Sequence, residues 1–315
     1  MRRLVPLMLC TLLVGPVFAQ PQAPTPRPKS LVAALGGRLA VLGSADGRAS
    51  YVPGQFRDVS SIAVTPDGRS IMVGPRDCEK NWIEQINIAT GAVENDLVGA
   101  SDFPVVNAKN PVMFSVGRVV ASQNAKGIVA YGVRCDGHSL GFTDILTGQN
   151  ARRGPFGELS IQTEVELVRP LAWLSDGRTL FYEVTVPGEA HPRYYFGRVW
   201  PLVSADEEVV TRVGAALHAT GLDPTAAALV NDKTVAFAQD DSSGARVREW
   251  DISTESFLGA DRSFHLAETI TALTADPSGT HFLVVTARHA LYRWSVGDVA
   301  PTKLADDVSA AAWLP

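Results

Sequence analysis

The chain has 315 residues, 33 acidic against 28 basic for a net charge of −5, and 46% of it is apolar. An acidic surface repels phosphate backbones, and no basic cluster interleaved with aromatic residues offsets that repulsion, so nucleic acid is excluded as a partner. The length is enough to bury a large core in one domain or two.

Residues 1–20 read MRRLVPLMLCTLLVGPVFAQ. Arg2 and Arg3, an apolar run from Leu4 to Val14 and a Val17-Phe18-Ala19 end are the marks of a secretory signal peptide, 1–19. The run falls short of the roughly 20 residues that cross a bilayer, so the processed chain is not expected to span a membrane. Cys10 sits mid-run, the wrong place for lipid attachment. Cleavage after Ala19 removes two arginines and takes the net charge to −7. The processed chain is then expected in a secreted or periplasmic location. Residues 20–30 follow as a tether kept extended and disordered by Pro21, Pro24, Pro26 and Pro28.

From residue 31 to 315 one unit recurs, and the reading is a single all-β domain. Ile62-Ala63-Val64-Thr65-Pro66-Asp67-Gly68 is echoed by Leu171-Ala172-Trp173-Leu174-Ser175-Asp176-Gly177 and by Leu273-Thr274-Ala275-Asp276-Pro277-Ser278-Gly279. Each is an apolar strand entering a turn of Asp, Ser and Gly, residues that tolerate positive φ. Second apolar strands follow, such as Ile71-Met72-Val73 and Phe282-Leu283-Val284-Val285, then third strands ending in Ile88-Ala89-Thr90-Gly91 or Trp294-Ser295-Val296-Gly297. Short strands at regular spacing without a helical period, in units of roughly 40 to 55 residues, predict a β-propeller. Ala311-Ala312-Trp313-Leu314 repeats Leu171-Ala172-Trp173-Leu174, whereas 31–52 carries a unit without its opening strand. Pairing the last strand with the first blade would close the ring and leave no open edge. Six blades are expected, starting near 311/31, 60, 117, 169, 226 and 271; irregular stretches at 99–116 and 149–168 leave room for a seventh.

These repeats resemble those of TolB-type six-bladed propellers, a WD40-like (PD40-type) class, whose blades carry a comparable apolar-Ser/Thr-Pro-Asp-Gly turn. Val64-Thr65-Pro66-Asp67-Gly68 and Trp173-Leu174-Ser175-Asp176-Gly177 carry the likeness. It implies the fold across the processed chain, without the amino-terminal domain of TolB. True WD40 repeats fit less well, because the Gly-His pair and regular Trp-Asp endings are missing despite Trp250-Asp251.

Gly137-His138-Ser139-Leu140-Gly141 fits the G-x-S-x-G nucleophile elbow, which requires a strand, a sharp turn and a helix over a parallel sheet. The following Phe142 to Gly148 instead matches the third-strand endings of other blades, so Ser139 is read as a turn residue and no catalytic residue is assigned. Cys78 and Cys135 follow the second strands of neighbouring blades, and equivalent loops emerge on one face, so a Cys78–Cys135 disulfide is expected in an oxidising compartment. His138, His191, His218, His265, His281 and His289 lack metal-binding spacing, and His281 and His289 are read as strand residues of one hairpin. The acidic clusters Asp206-Glu207-Glu208, Asp240-Asp241 and Asp306-Asp307 lack the order of a calcium loop. No metal and no cofactor are expected.

The loops entering each innermost strand would ring one mouth of the channel with Asp58, Arg118, Glu166, Arg169, Asp223, Glu268 and Asp307. Residues 187–195, with His191 and Arg193, and 101–114 would form a wall beside them, while Tyr194, Tyr195 and Phe196 are read as blade packing. Loops on a rigid ring are where such folds bind. The expected function is a non-catalytic binding scaffold, a monomer, for an envelope or extracellular protein or peptide. The alternative is a secreted propeller enzyme, a lyase or hydrolase, acting on a small molecule or polysaccharide at the mouth.

Overall fold

The computed structural model describes residues 30–54, 56, 59–75, 83–98, 113–120, 129–136, 143–149, 152–159, 167–185, 188–201, 210–211 and 223–315. Apart from the three-residue 3-10 turn Ala260–Arg262, the regular elements among them are strands. The first sheet holds β1 (Ser30–Leu35), β2 (Arg38–Gly43) and β3 (Ala49–Tyr51), and the second β4 (Val59–Val64), β5 (Ser70–Pro75), β6 (Ile83–Asn87) and β7 (Val93–Val98). The third comprises β8 (Met113–Val120), β9 (Val129–Asp136), β10 (Thr143–Gln149) and β11 (Arg152–Leu159), described by its backbone path except at Ala130. In the fourth are β12 (Leu167–Trp173), β13 (Thr179–Thr185), β14 (Arg193–Arg198) and β16 (Val210–Thr211), while β15 (Trp200–Pro201) crosses back to pair with β11. The fifth has β17 (Ala226–Asn231), β18 (Thr234–Asp241), β19 (Gly244–Asp251), β20 (Ser256–Phe257) and β21 (Ser263–Leu266), and the sixth β22 (Ile270–Ala275), β23 (His281–Thr286), β24 (Leu291–Ser295) and β25 (Thr302–Ala305).

The last strand, β26 (Val308–Trp313), completes the first sheet, with Leu31 opposite Trp313 and Ala33 opposite Ala311. The expected closure of the ring by the last and first strands is therefore present. Around the axis the innermost strands lie side by side in the order β26, β4, β8, β12, β17 and β22, which returns to β26. The chain is an all-β propeller.

Why the second strand of each blade reads as an unbroken apolar run follows from this stacking. A strand sends alternate side chains to opposite faces, and a blade between two others is covered on both. On β23, Phe282 and Val284 enter the core shared with β17 to β21, whereas Leu283 and Val285 enter the core shared with β1 and β26. On β1, Leu31 and Ala33 face that second core, and Val32 and Ala34 face Ile62, Ile71, Val73 and Ile86 of the next blade. Aromatic rings fill the larger gaps, with Trp294 4.7 Å from Phe264 and 5.6 Å from Phe282, centre to centre. Tyr194 and Phe196 are likewise buried against Phe181 and Phe237, as blade packing.

The recurring turns owe their shape to local side-chain acceptors. Gly68 N–H donates to the Thr65 carbonyl and Gly279 N–H to the Asp276 carbonyl, so Thr65 and Asp276 occupy the same place. Each then uses a side-chain oxygen to accept the N–H five residues on, from Ser70 at 3.0 Å and from His281 at 2.9 Å. The glycine closing each turn has φ near the left-handed helix, 68° at Gly68, 62° at Gly177 and 67° at Gly279. At Gly279 a Cβ would also stand 2.7 Å from Val230 Cγ1 of the preceding blade. Gly279→Ala is expected to lower stability by about 2 kcal/mol in chemical denaturation, combining left-handed strain with displacement of Val230. Gly37→Ala, at φ 76° with nothing within 4 Å of its added methyl group, carries the strain alone, about 1 kcal/mol. Equal losses at the two sites would show that contact with Val230 is unimportant.

Candidate functional site

Hydrogen bonds between neighbouring blades identify the two ends of the ring. At the end where the chain enters the innermost strands, Thr269 Oγ1 donates to Asp240 Oδ2 at 3.1 Å, Val308 N–H to the His289 carbonyl at 2.8 Å and Ser309 Oγ to the Val59 carbonyl at 2.6 Å. At the other end the turns touch, with Ser175 N–H donating to Asp232 Oδ1 at 2.9 Å. The entry face is the mouth the sequence points to.

Asp223, Glu268 and Asp307 lie there, just ahead of β17, β22 and β26, on three consecutive blades. Asp223 is 64% exposed and approaches His191 Nε2 at 3.5 Å, which places the 188–193 segment beside it as a wall. Glu268 Oε1 accepts the Tyr292 hydroxyl at 3.0 Å. Burial, followed by Glu268 itself, raises the Tyr292 pKa and keeps the phenol a donor. Asp307 has a left-handed backbone, φ 58°, and its carbonyl accepts Gly36 N–H at 2.9 Å, leaving the carboxylate exposed. Asp306 pairs with Lys303 at 2.6 Å, and Arg38 lies 4.1 Å above the half-exposed ring of Tyr51 on the first blade.

Two of the expected rim residues lie within strands instead of the preceding loops. Arg118 is in β8 and Arg169 is the third residue of β12. Arg169 Nη2 donates to Glu183 Oε2 at 2.8 Å on the adjacent β13, and Tyr194 stands opposite Glu183 on β14. Burial opposes the charge of Arg169, but Glu183 outweighs it and the guanidinium is held firmly protonated. Burial pushes the Tyr194 phenol well above its ordinary range. This row ties the fourth blade together and does not present Arg169 as a free cation. Arg193 opens β14 and pairs with Glu189.

Asp58, Glu166, Cys78 and Ser139 lie outside the described residues, and Cys135 is described only by its backbone in β9. The segment holding Ser139 joins β9 to β10, which pair antiparallel, with Arg134 opposite Thr143. An elbow would need a parallel sheet and a following helix. His281 lies in β23 as read, but His289 is in the turn before β24 with φ 60°, a correction to its strand assignment.

A Ser-His-Asp grouping that the spacing did not disclose sits at the β18–β19 hairpin. Ser243 Oγ is 3.1 Å from His265 Nε2, and Asp241 Oδ1 is 3.7 Å from the same nitrogen. A relay requires the acid on one ring nitrogen and the nucleophile on the other. Here Ser243 donates its own proton to Asp241 at 2.7 Å, and that bond with Ser243 N–H holds the carboxyl below the usual carboxylate range. The group closes a hairpin and is not arranged for acyl transfer.

No family model matches the sequence, and no curated protein does. The structure is similar to that of TolB from Acinetobacter baumannii, with a TM-score of 0.61 at 16% identity over 93% of this chain and 68% of that one. The fold is that of a TolB-type propeller. The C-terminal WD40 domain of Sif2 aligns at a TM-score of 0.42 and 13% identity, over 88% of this chain and 66% of that one. The entry face presents exposed Asp223 and Asp307 beside the half-buried Glu268, and among the described residues no helix is long and apolar enough to cross a membrane.

Proposed function

We propose that the chain is an exported, non-catalytic propeller that binds an envelope protein or peptide at the entry face. The observation carrying this reading is the rim itself: Asp223, Glu268 and Asp307 lead into consecutive innermost strands, with exposed Asp241 and Asp306 beside them. Carboxylates held at fixed spacing on a rigid frame suit a basic segment of a partner, because complementary fields steer encounter and fix register. The TolB-type fold is compatible with such a role, and the signal-like leader supports a secreted or periplasmic site of action.

The test is affinity enrichment from crosslinked envelope extract with the wild type and with Asp223→Lys/Asp307→Lys. Both positions are exposed, so the double variant is expected to fold normally and to lose about tenfold in apparent affinity for the captured partner. Undiminished capture by the folded variant would remove the entry face from consideration. Arg169 is unsuitable for such a test, since reversing its charge would set it against Glu183.

A further inference from the structure

The third strand of the fifth blade, β19, carries two arginines side by side on one face. Ala245 and Val247 turn into the core shared with the sixth blade, so Arg246 and Arg248 turn towards the fourth. Trp250, further along that face, packs against Phe181, Tyr194 and Phe196 of the fourth blade. Arg169, Arg193, Arg262 and Arg293 each meet a carboxylate. Among the described residues Arg246 and Arg248 have no ion pair. Arg248 is half-buried, its Cζ 3.7 Å from the centre of the Phe257 ring, and its Nη2 donates to the neutral Gln239 Oε1 at 3.1 Å. Arg246 is exposed and stands opposite His265 on β21. Asp241 ends the same face, held ionised first by Ser243 and then by His265 and Arg246. Burial, followed by the charge of Arg246, lowers the Arg248 pKa, whereas Glu189 raises that of Arg193. The blade itself does not need this pair. Ile252, Val296 and Ile88 N–H groups donate to the Lys233, Thr280 and Arg69 carbonyls, which aligns three third strands. The place of Arg248 is then taken by Tyr292 in the sixth blade and Glu84 in the second, and that of Arg246 by Ala290 in the sixth.

We infer that Arg246 and Arg248 form a binding site for a phosphate monoester on the flank of the fifth blade. Residues two apart on a strand lie about 6.5 Å from one another on one face, within reach of a single tetrahedral anion for side chains of this length. One guanidinium fork matches a carboxylate. A phosphate monoester carries roughly −1.5 to −2 charge at neutral pH on three acceptor oxygens, and two guanidiniums are needed to balance it. Phe257 and Gln239 hold Arg248 in place, with one of its five N–H donors spent on Gln239. The apolar core behind Phe257 strengthens the attraction by excluding water. Exposed Arg246 leaves the approach open. The acidic net charge of the chain is screened beyond about 8 Å at physiological salt, so it disfavours a polyanion far more than one phosphate held by two adjacent cations. Such a phosphate is presented by a soluble ester and by a lipid headgroup. The site lies on the flank of the blade and does not depend on Asp223, Glu268 or Asp307.

Isothermal titration of the purified protein with inorganic phosphate, glycerol 3-phosphate and acetate at low ionic strength tests the inference, together with cosedimentation on phosphatidylcholine vesicles with and without phosphatidic acid. The phosphates are expected to bind with Kd in roughly the millimolar range and acetate about tenfold more weakly. Arg246→Gln, at an exposed position, should fold as the wild type and weaken phosphate binding about tenfold. Arg248→Gln should do the same, and Arg248→Lys, which keeps the charge but loses the fork, should restore only part of the affinity. Arg288→Gln, exposed in the turn between β23 and β24, should bind as the wild type. Binding of the soluble phosphates alone assigns the site to a small ester, and binding of the phosphatidic acid vesicles alone to a lipid headgroup. Absence of binding to both the soluble phosphates and the vesicles, acetate binding as tight as phosphate, or undiminished binding by either glutamine variant would overturn the inference.

Discussion

Deletion of residues 308–315 is expected to abolish cooperative folding and not merely to shorten a blade. The lost strand contributes Val308, Ala312 and Trp313 to the buried core and pairs with β1 along its length. Losing the Trp313 side chain alone is worth about 3–5 kcal/mol, against a total stability of roughly 5–15 kcal/mol for a domain. Deletion also bares the edge of β1, a template for pairing with other chains. Circular dichroism and gel filtration of the truncated protein should show a broad, early melt and aggregates, whereas Trp313→Ala should remain folded with a lower midpoint. A sharp, native-like melt of a monomeric truncated protein would mean that closure by β26 contributes little.

Arg262→Ala has the second largest expected effect. Arg262 follows the short β20, and its Nε donates to Glu249 Oε2 at 2.7 Å while Nη2 donates to the Gly279 carbonyl at 3.1 Å, fastening the fifth blade to the turn of the sixth. Glu249 is 1% exposed, and burial raises its pKa even though Arg262 pulls it down. A carboxyl raised in the folded state contributes stability that is complete below its unfolded pKa and is lost as pH rises through the folded one. Removing Arg262 raises that folded pKa further. The variant should lose about 3–5 kcal/mol at neutral pH, and the deficit should shrink as the pH falls towards about 4, the ordinary glutamate value. Adding Glu249→Gln should flatten this pH dependence. A deficit that is constant from acid to neutral pH would place the effect in lost packing and not in the stranded charge.

Both effects rest on contacts of very different legibility. The turns could be read from the sequence because Asp67, Asp176 and Asp276 bind N–H groups within five residues of themselves. Closure by β26 was legible because Ala312 and Trp313 repeat the pattern of Ala172 and Trp173. The mouth was read less well at Arg169, which was expected in the loop ahead of its strand, whereas β12 starts at Leu167 and takes up Pro170 at a register shift between Pro170 and Ala172. Pairing of Glu249 with Arg262 escaped notice because a two-residue strand and a 3-10 turn intervene.

The bond from Ser309 to the Val59 carbonyl spans 250 residues, and it has a consequence for the order of assembly. The first three strands emerge early in synthesis, yet their sheet and the neighbouring apolar face of β4 stay incomplete until the last eight residues are available. Contacts of such long sequence separation slow folding, because the loop must close before the contact is rewarded. A ring that cannot lock until β26 is available stays open until then. The delay also makes the interval between release and closure the period in which β1 and β4 are most open to aggregation.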